Sequence, residues 1–155
     1  CSAPGAPSLE AFRQTKDVLL IEADGSRRFP MKVPASHEPV IPPWTRIILV
    51  VCGLSALGRP LEQTCHRHEL LKLPSGRLVT PDLMADTMKT FYLRPLSRRF
   101  PEALILPVWN QADTSGMLEA AQKTAALCGW NFQLITRMDF DRSSNPFRES
   151  TVRRV

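Results

Sequence analysis

The feature that most constrains the fold is a series of short apolar runs at residues 18–21, 47–52 and 103–109, the last interrupted by Pro107. A run that is apolar at successive positions, rather than at alternate ones, is typical of a strand covered on both faces in a parallel sheet. Helical patterns separate these runs, and residues 132–136 are a fourth candidate strand. The sequence therefore predicts an α/β fold in which a mostly parallel sheet has helices on both faces, a Rossmann-like three-layer arrangement.

Length and composition indicate one domain. The chain has 155 residues, of which 43% are hydrophobic and 23% charged, as in ordinary globular proteins. We expect a single α/β domain over residues 1–140 and a polar, basic tail over residues 141–155. The chain begins with Cys1 in loop-like residues, which suggests a fragment of a longer domain. It has no apolar stretch of the ~20 residues that a membrane helix needs and no signal-peptide pattern, so a cytoplasmic protein is expected.

The basic residues and cysteines argue against two kinds of site. The net charge is +5, but the basic residues are scattered rather than gathered in the dense stripe that nucleic-acid binding favours, so a nucleotide or protein partner is expected and nucleic acid is not. The four cysteines show no C-x-x-C spacing, and disulfides are not expected. The segment Cys65-His-Arg-His68 supplies too few ligands for a structural zinc site, so no zinc is expected.

The remaining elements follow from capping and proline patterns. We expect a helix from Ser8 over residues 9–14, an ordered proline-rich loop over residues 29–43, and a short helix over residues 66–73 that carries its leucines inward. Thr80 and Pro81 mark the start of a helix that runs to about residue 90 with Met84 and Met88 inward. Further expectations are a basic connector at residues 94–101, an edge strand or bulge at Pro107, and a helix that Ser115 caps and Gly129 ends.

Candidate site residues follow the first apolar run. Glu22 and Asp24 lie two apart, so both would point the same way off the end of a strand at residues 18–22, where ligands bind in open α/β sheets. Such carboxylates commonly hold Mg²⁺ or orient a water, and a glycine and three cations follow: Gly25, Arg27, Arg28 and Lys32. On spacing alone, an Asp-Gly turn with solvated basic residues is the favoured reading.

The next two strand ends add polar groups at the same predicted edge. The second strand ends at the glycine of the Gly53-Leu-Ser-Ala-Leu-Gly58 loop, and the third delivers Asn110 and Asp113. In the proline-rich loop, His37 and Glu38 are acid/base candidates, although a loop-anchoring role for His37 is equally open. No G-x-x-x-x-G-K-[ST] phosphate loop occurs in the chain.

These residues resemble the YqeC family, which is described as accessory proteins of selenium-dependent molybdenum hydroxylases. The resemblance extends over residues 17–136 and is carried by these segments: Glu22-Ala-Asp-Gly-Ser-Arg-Arg28, Lys32, Pro34-Ala35, His37-Glu-Pro-Val-Ile-Pro42, Gly53-Leu-Ser-Ala-Leu-Gly-Arg-Pro-Leu61, His66-Arg67, Thr80-Pro-Asp-Leu83 and Asn110-Gln-Ala-Asp113. It implies a P-loop NTPase-like fold whose first strand and glycine-rich lysine loop would precede residue 1.

The resemblance also implies roles for the site residues. Asp24 or Glu22 is similar to the carboxylate that contacts Mg²⁺ in bound Mg-ATP or Mg-GTP. Asn110 and Asp113 resemble the base-reading N-K-x-D element of GTPases, with Gln111 in place of the lysine. A capped loop before a helix is an equally good interpretation of Asn110 and Asp113.

Three functions follow as hypotheses. The first is a nucleotide-binding accessory protein in the maturation of a selenium-dependent molybdenum hydroxylase, with that enzyme or its maturation factors as partners. The second is a Mg²⁺-dependent NTPase or a phosphoryl or nucleotidyl transferase acting on a molybdenum-cofactor precursor, with His37 and Glu38 as the acid/base pair. The third is a non-catalytic protein-interaction domain, which the absent lysine loop favours.

Overall fold

The computed structural model describes residues 6–15 and 17–137. Its α-helices are α1 (Ala6–Thr15), α2 (Leu61–Thr64), α3 (Pro81–Met88), α4 (Arg94–Arg99) and α5 (Ser115–Cys128). Its strands are β1 (Met31–Lys32), β2 (Ile47–Gly53), β3 (Cys65–His66), β4 (Leu104–Asn110) and β5 (Leu134–Ile135). Two 3-10 turns, Leu54–Ala56 and His68–Leu71, and a π-helical turn, Lys89–Leu93, complete the set. The predicted tail at residues 141–155 lies outside the described residues.

Both sheets are parallel. One has three strands in the order β2-β4-β5, and a smaller one pairs β1 with β3. Because each parallel pair needs a crossover connection, at least one helix lies between its two strands along the chain. The predicted α/β class with parallel sheets and flanking helices is therefore confirmed. Among the helices that the structure describes, none is both long and apolar enough to cross a bilayer.

The two faces of β2 have different surroundings. Ile48, Val50 and Cys52 point into the main core, which they share with α3 and α5. Ile47, Leu49 and Val51 point the other way and are 57%, 53% and 59% exposed. The prediction that β2 is covered on both faces is wrong, because no described helix covers the side of these three residues.

The predicted strand at residues 18–22 is wrong. These residues have no regular secondary structure, and Val18 and Leu20 are 75% and 88% exposed. A strand requires a neighbour to pair with its backbone. A cavity separates residues 17–24 from β2, so this β-favouring run has no ladder to join.

The helix that starts at Thr80 runs further than predicted. The Thr80 side chain accepts a hydrogen bond from the Leu83 N–H, and Met84 and Met88 are buried, as expected. The helix then passes through a π-helical turn into α4, so the predicted connector at residues 94–101 is wrong. In that turn the Arg94 N–H bonds to the Lys89 carbonyl five residues back. Wider winding of this kind gives room for Pro95, whose ring would crowd a regular α-helix.

Pro107 lies in the middle strand of its sheet, not at an edge. The Leu104 N–H bonds to the Arg46 carbonyl, so the nitrogens of even-numbered β4 residues face β2 and that of Pro107 faces β5. The β5 ladder begins only at Val108, so proline costs no bond there.

Three smaller predictions need correction. Helix α1 already begins at Ala6 rather than after Ser8, and Thr114, not Ser115, caps α5. Leu70 and Leu73 of the predicted helix at residues 66–73 are exposed, because a 3-10 turn replaces it. Gly129 ends α5 in the left-handed conformation, as predicted.

Candidate functional site

A cluster of four charged side chains lies beside the small β1–β3 sheet. The ammonium of Lys32 donates to Asp24 Oδ1 and to the Gly25 carbonyl at 2.8 Å, and it lies 2.9 Å from Glu38 Oε2. Arg67 donates to both oxygens of Glu38. Two cations and two carboxylates therefore neutralise one another, which is how a largely buried charge is tolerated.

The β1–β3 ladder assembles this cluster. Its register places Lys32 beside His66, so Arg67 follows directly and turns back in the left-handed conformation, with φ 61°. Glu38 also accepts the Ala35 N–H at 3.1 Å, which ties the proline-rich loop to the cluster. The predicted ordered loop is confirmed, with β1 inside it.

The environment of Glu38 decides what its carboxyl can do. Hydrogen bonds from Arg67 outweigh the opposing effect of burial and, together with those from Lys32 and Ala35, lower the pKa of Glu38 from 4.5 to about 2. At neutral pH this group is ionised and cannot donate a proton, which favours a role in holding the two cations. His37 is 75% exposed and its Nε2 lies 3.9 Å from Glu38 Oε1, so it contacts solvent.

Asp24 has one oxygen with an unmet hydrogen-bonding capacity. Its Oδ1 accepts from Lys32, whereas Oδ2 is buried and has no hydrogen-bond partner among the described residues. Buried carboxylate oxygens are nearly always paired, so an orphaned one calls for an explanation. Tyr92, whose hydroxyl donates to the Lys32 carbonyl at 3.2 Å, lies near this carboxylate; burial, followed by the charge of Asp24, raises the pKa of Tyr92.

A cavity of about 1430 Å³ opens between residues 17–24, β2 and the α3–α4 helix. Its lining includes six of the sequence-predicted site residues: Glu22, Asp24, Arg28, Lys32, Gly53 and Asn110. Gly25 contributes its carbonyl to Lys32 from just outside. The other four predicted residues are not part of the cavity lining: Arg27, His37, Glu38 and Asp113.

The carboxyl ends of β2 and β4 meet closely at this cavity. The Gly53 N–H donates to the Pro30 carbonyl at 2.8 Å, and a Cβ at Gly53 would lie 2.6 Å from Gln111 Oε1. Gln111 has φ 71° and accepts the Ser55 N–H at 3.3 Å, so it bridges the two strand ends. This approach explains why glycine stands at position 53.

Asn110 holds the end of β4 in place. Its Oδ1 accepts from the Gln111 N–H and from the Thr136 hydroxyl, both at 2.9 Å. Asp113 is exposed, and its carbonyl accepts from Arg137 at 3.5 Å. Asn110 lines the cavity and also hydrogen-bonds within its own loop, so its position is compatible with both the base-reading role and the capped-loop role that the sequence suggested. Asp113 is not part of the cavity lining.

The cysteines within the described part of the chain, Cys52, Cys65 and Cys128, are buried thiols. Burial raises the pKa of both Cys52 and Cys65 to about 12, so both are protonated at neutral pH and are poor metal ligands. Over residues 6–15 and 17–137, no three His, Cys, Asp or Glu side chains gather as a metal site would require.

Two residues of the site had no role assigned from the sequence. Arg67 belongs to the His66-Arg67 segment that resembles the YqeC family, but its ion pair with Glu38, 29 residues earlier, depends on the β1–β3 pairing. Tyr92 lies in the π-helical turn, which no local pattern indicates. The one indication in the sequence is that Tyr92 stands among apolar residues of a helical segment, where a buried hydroxyl needs a hydrogen-bond partner.

Comparison with known proteins gives one family. Residues 4–69 match the family model described as "YqeC protein". A protein of Escherichia coli (strain K12), named "Uncharacterized protein YqeC", is 42% identical over 67 residues, which are 43% of this chain and 25% of that protein. The match thus covers a quarter of the relative's length. No solved structure matches the chain.

The family match contains the whole charged cluster. Asp24, Lys32, Glu38 and Arg67 all lie within residues 4–69, whereas Asn110 and Gln111 lie beyond them. The first part of the chain is therefore similar to YqeC proteins, and the charged cluster belongs to that similar part.

Proposed function

We propose that the chain is a nucleotide-binding unit of the YqeC family with a P-loop NTPase-like architecture. The observation that carries this proposal is that Lys32, Gly53 and Asn110, the last residues of three strands in parallel sheets, line one cavity together with Asp24. Open α/β sheets bind their ligands at the carboxyl ends of their strands. The match of residues 4–69 supports the family.

The donor groups fit a hydrated Mg²⁺. Mg²⁺ is usually held by one or two carboxylates together with waters and substrate phosphates. Asp24 Oδ2 is a buried carboxylate oxygen that lacks a partner, and Glu22 lies nearby on the same cavity. Asp24, assisted by Glu22, would hold the ion, which would supply charge neutralisation to the phosphates.

The charge balance of the cluster supports Mg²⁺-dependent binding. Lys32 is already paired with Asp24 and Glu38, so its charge is not available in full to a polyanion. A triphosphate that brings its own cation avoids this competition, whereas a metal-free one must displace Asp24. Arg28, exposed at the cavity, adds a cation for the phosphates.

The base would lie towards Asn110 and Gln111. Asp113, the second half of the base-reading element, is not part of the cavity lining. We therefore expect ATP and GTP to bind with similar affinity. The further role in maturing a selenium-dependent molybdenum hydroxylase is proposed on the resemblance alone.

The test is calorimetric titration with ATP and with GTP, each with and without Mg²⁺. The chain should bind at least tenfold more tightly with Mg²⁺ than without it. The variant Asp24→Asn should lose this Mg²⁺ dependence, because the amide replaces a metal-binding carboxylate. The titrations should be made at a temperature at which the variant is folded, because Asp24→Asn also removes the ion pair with Lys32 and so lowers the stability of the protein.

The matched control is Asp86→Asn, which removes an exposed carboxylate on α3 outside the cavity. It should retain the Mg²⁺ dependence of the parent chain. Equal dependence in all three proteins would remove Asp24 from the metal site, and no binding to the folded parent would refute the nucleotide site itself.

A further inference from the structure

Two consecutive arginines form a turn whose backbone is unfavourable for their side chains. Arg27 and Arg28 have φ 53° and 68°, and the Phe29 N–H donates to the Ser26 carbonyl at 3.0 Å, so they hold the central positions of a type I′ turn. These positions favour glycine, asparagine or aspartate, and other residues there store backbone strain. Because such strain is concentrated at functional sites, the surroundings of these two side chains are informative.

The Arg27 side chain has no partner that would account for its position. It is exposed, does not line the cavity, and makes no hydrogen bond or ion pair with the residues that the structure describes. The neighbouring Arg28 lines the cavity, so the two arginines of the turn lie in different surroundings. A strained arginine without an internal contact is explained more readily by a ligand than by the packing of the fold.

His66 lies beside this turn. Phe29, the last residue of the turn, stacks on the His66 ring, with the ring centroids 6.2 Å apart and the planes at 20° to each other. Arg67 follows His66 directly and is a third arginine in the left-handed conformation, with φ 61°. The β1–β3 pairing and the stacked rings therefore bring an imidazole and arginines from two distant segments to one surface.

The charges of these arginines act on the imidazole. Partial burial is the largest of the effects that lower the pKa of His66, and the charges of Arg67 and Arg27 come next. Lys32 acts in the same direction, whereas Glu38 opposes it. The ordinary value is 6.5, so the ring is neutral at pH 7 and can take up a proton when an anion arrives.

The charge balance at this surface favours a dianion. The charged cluster, which contains Lys32 and Arg67, is neutral as a whole, so the excess positive charge is that of Arg27. A proton taken up by His66 brings the excess to two. A phosphate group carries close to two negative charges at neutral pH and offers three acceptor oxygens, which the planar fork of an arginine matches. A carboxylate would leave one of the two positive charges unbalanced.

We propose that Arg27, His66 and Arg67 form an anion site outside the cavity, which binds a dianionic phosphate group. Arg27 supplies its unpaired guanidinium, and Arg67 supplies the N–H donors that its two hydrogen bonds to Glu38 leave over. His66 becomes protonated as the phosphate binds. The phosphate belongs either to a separate small molecule or to the end of a nucleotide that extends out of the cavity. The site itself does not depend on the proposed nucleotide binding.

The test is an NMR titration of the intact chain, in which the ring protons of His66 report the pKa of the imidazole. Inorganic phosphate is the probe, and sodium chloride at equal ionic strength controls for screening. Phosphate should raise the pKa of His66 by about 1 or more relative to chloride, because a bound anion favours the protonated ring. The effect should saturate with phosphate, and the exposed His37 should not show it.

Arg27→Gln should weaken phosphate binding at least tenfold, because it removes a charged donor and leaves the turn in place. In chloride alone, this variant should already raise the pKa of His66, since one repelling cation is gone. The matched control is Lys72→Gln. Lys72 is also an exposed cation in the left-handed conformation, with φ 54°, but its charge is not among those that act on His66. The control should bind phosphate within twofold of the parent chain.

Mg-ATP distinguishes the two sources of the phosphate. If the nucleotide supplies it, Mg-ATP alone raises the pKa of His66; if a separate molecule supplies it, inorganic phosphate still raises this pKa in the presence of Mg-ATP. Either result supports the site. A pKa of His66 that is the same in phosphate and in chloride, in a folded sample, would overturn the proposal. An undiminished response of Arg27→Gln to phosphate would overturn it as well.

Discussion

Replacing Glu38 by glutamine should lower the free energy of unfolding by about 2 kcal/mol at pH 7. The native pKa of Glu38 is about 2, against an ordinary value of 4.5. A shift of that size corresponds to at most about 3.5 kcal/mol, since one pKa unit is ~1.4 kcal/mol. Solvent beside this carboxyl screens the interaction, and Lys32 keeps Asp24 in the variant, so we expect about 2 kcal/mol rather than the full amount.

The pH dependence gives the sharper test. A carboxyl whose pKa is lowered on folding stabilises the protein above its ordinary pKa and loses that effect as pH falls towards the native value. The stability that Glu38 contributes should therefore be complete above pH 4.5 and disappear progressively towards about pH 2. The difference between the parent chain and Glu38→Gln should shrink by more than half between neutral pH and about pH 3.

The assay is urea unfolding followed by tryptophan fluorescence at a series of pH values. Glu102→Gln is the matched control, because Glu102 is exposed on the surface and should change stability by less than about 0.5 kcal/mol. A difference between parent and Glu38→Gln that stays constant with pH would refute the assigned ion pairs. A difference no larger than that of the control would do the same.

Two further substitutions test the packing around the site by urea unfolding. Gly53→Ala should lower the free energy of unfolding by about 1–3 kcal/mol, because the new Cβ would lie 2.6 Å from Gln111 Oε1. Gly116→Ala, in the first turn of α5 with nothing within 4 Å of the new Cβ, should raise the free energy of unfolding by about 0.5–1 kcal/mol. Equal effects of the two substitutions would contradict the close approach at Gly53. Gln133→Ala should cost about 1–3 kcal/mol, since it leaves the buried Trp109 indole N–H without the acceptor that it now has at 2.9 Å; a neutral result would show that this hydrogen bond contributes nothing.

Elements with local signals were predictable from the sequence. Thr80 and Pro81 carry a capping signal that depends on adjacent residues alone, and the structure places the helix start there. The apolar runs of β2 and β4 also became strands, because each has the other as a neighbour. Residues 18–21 have the same kind of sequence but no neighbour, so local preference alone did not make a strand.

The charged cluster shows what local patterns could not supply. Asp24 and Lys32 were each predicted for the site, but as a metal ligand and a phosphate contact rather than as partners of each other. Glu38 was predicted as an acid/base group, and only the pairing of β1 with β3 brings Arg67 to it and lowers its pKa. Contacts between residues far apart in the chain decide such roles, and spacing does not reveal them.

The central claim is a nucleotide site at the joined ends of β2 and β4, and amide chemical-shift mapping of the parent chain tests it most directly. Addition of Mg-ATP or Mg-GTP should shift the backbone amides of Gly25, Gly53 and Gln111 in a saturable manner, and the same nucleotides without Mg²⁺ should shift them less. Saturable shifts confined to residues away from this cavity, or none in a folded sample, would contradict the account.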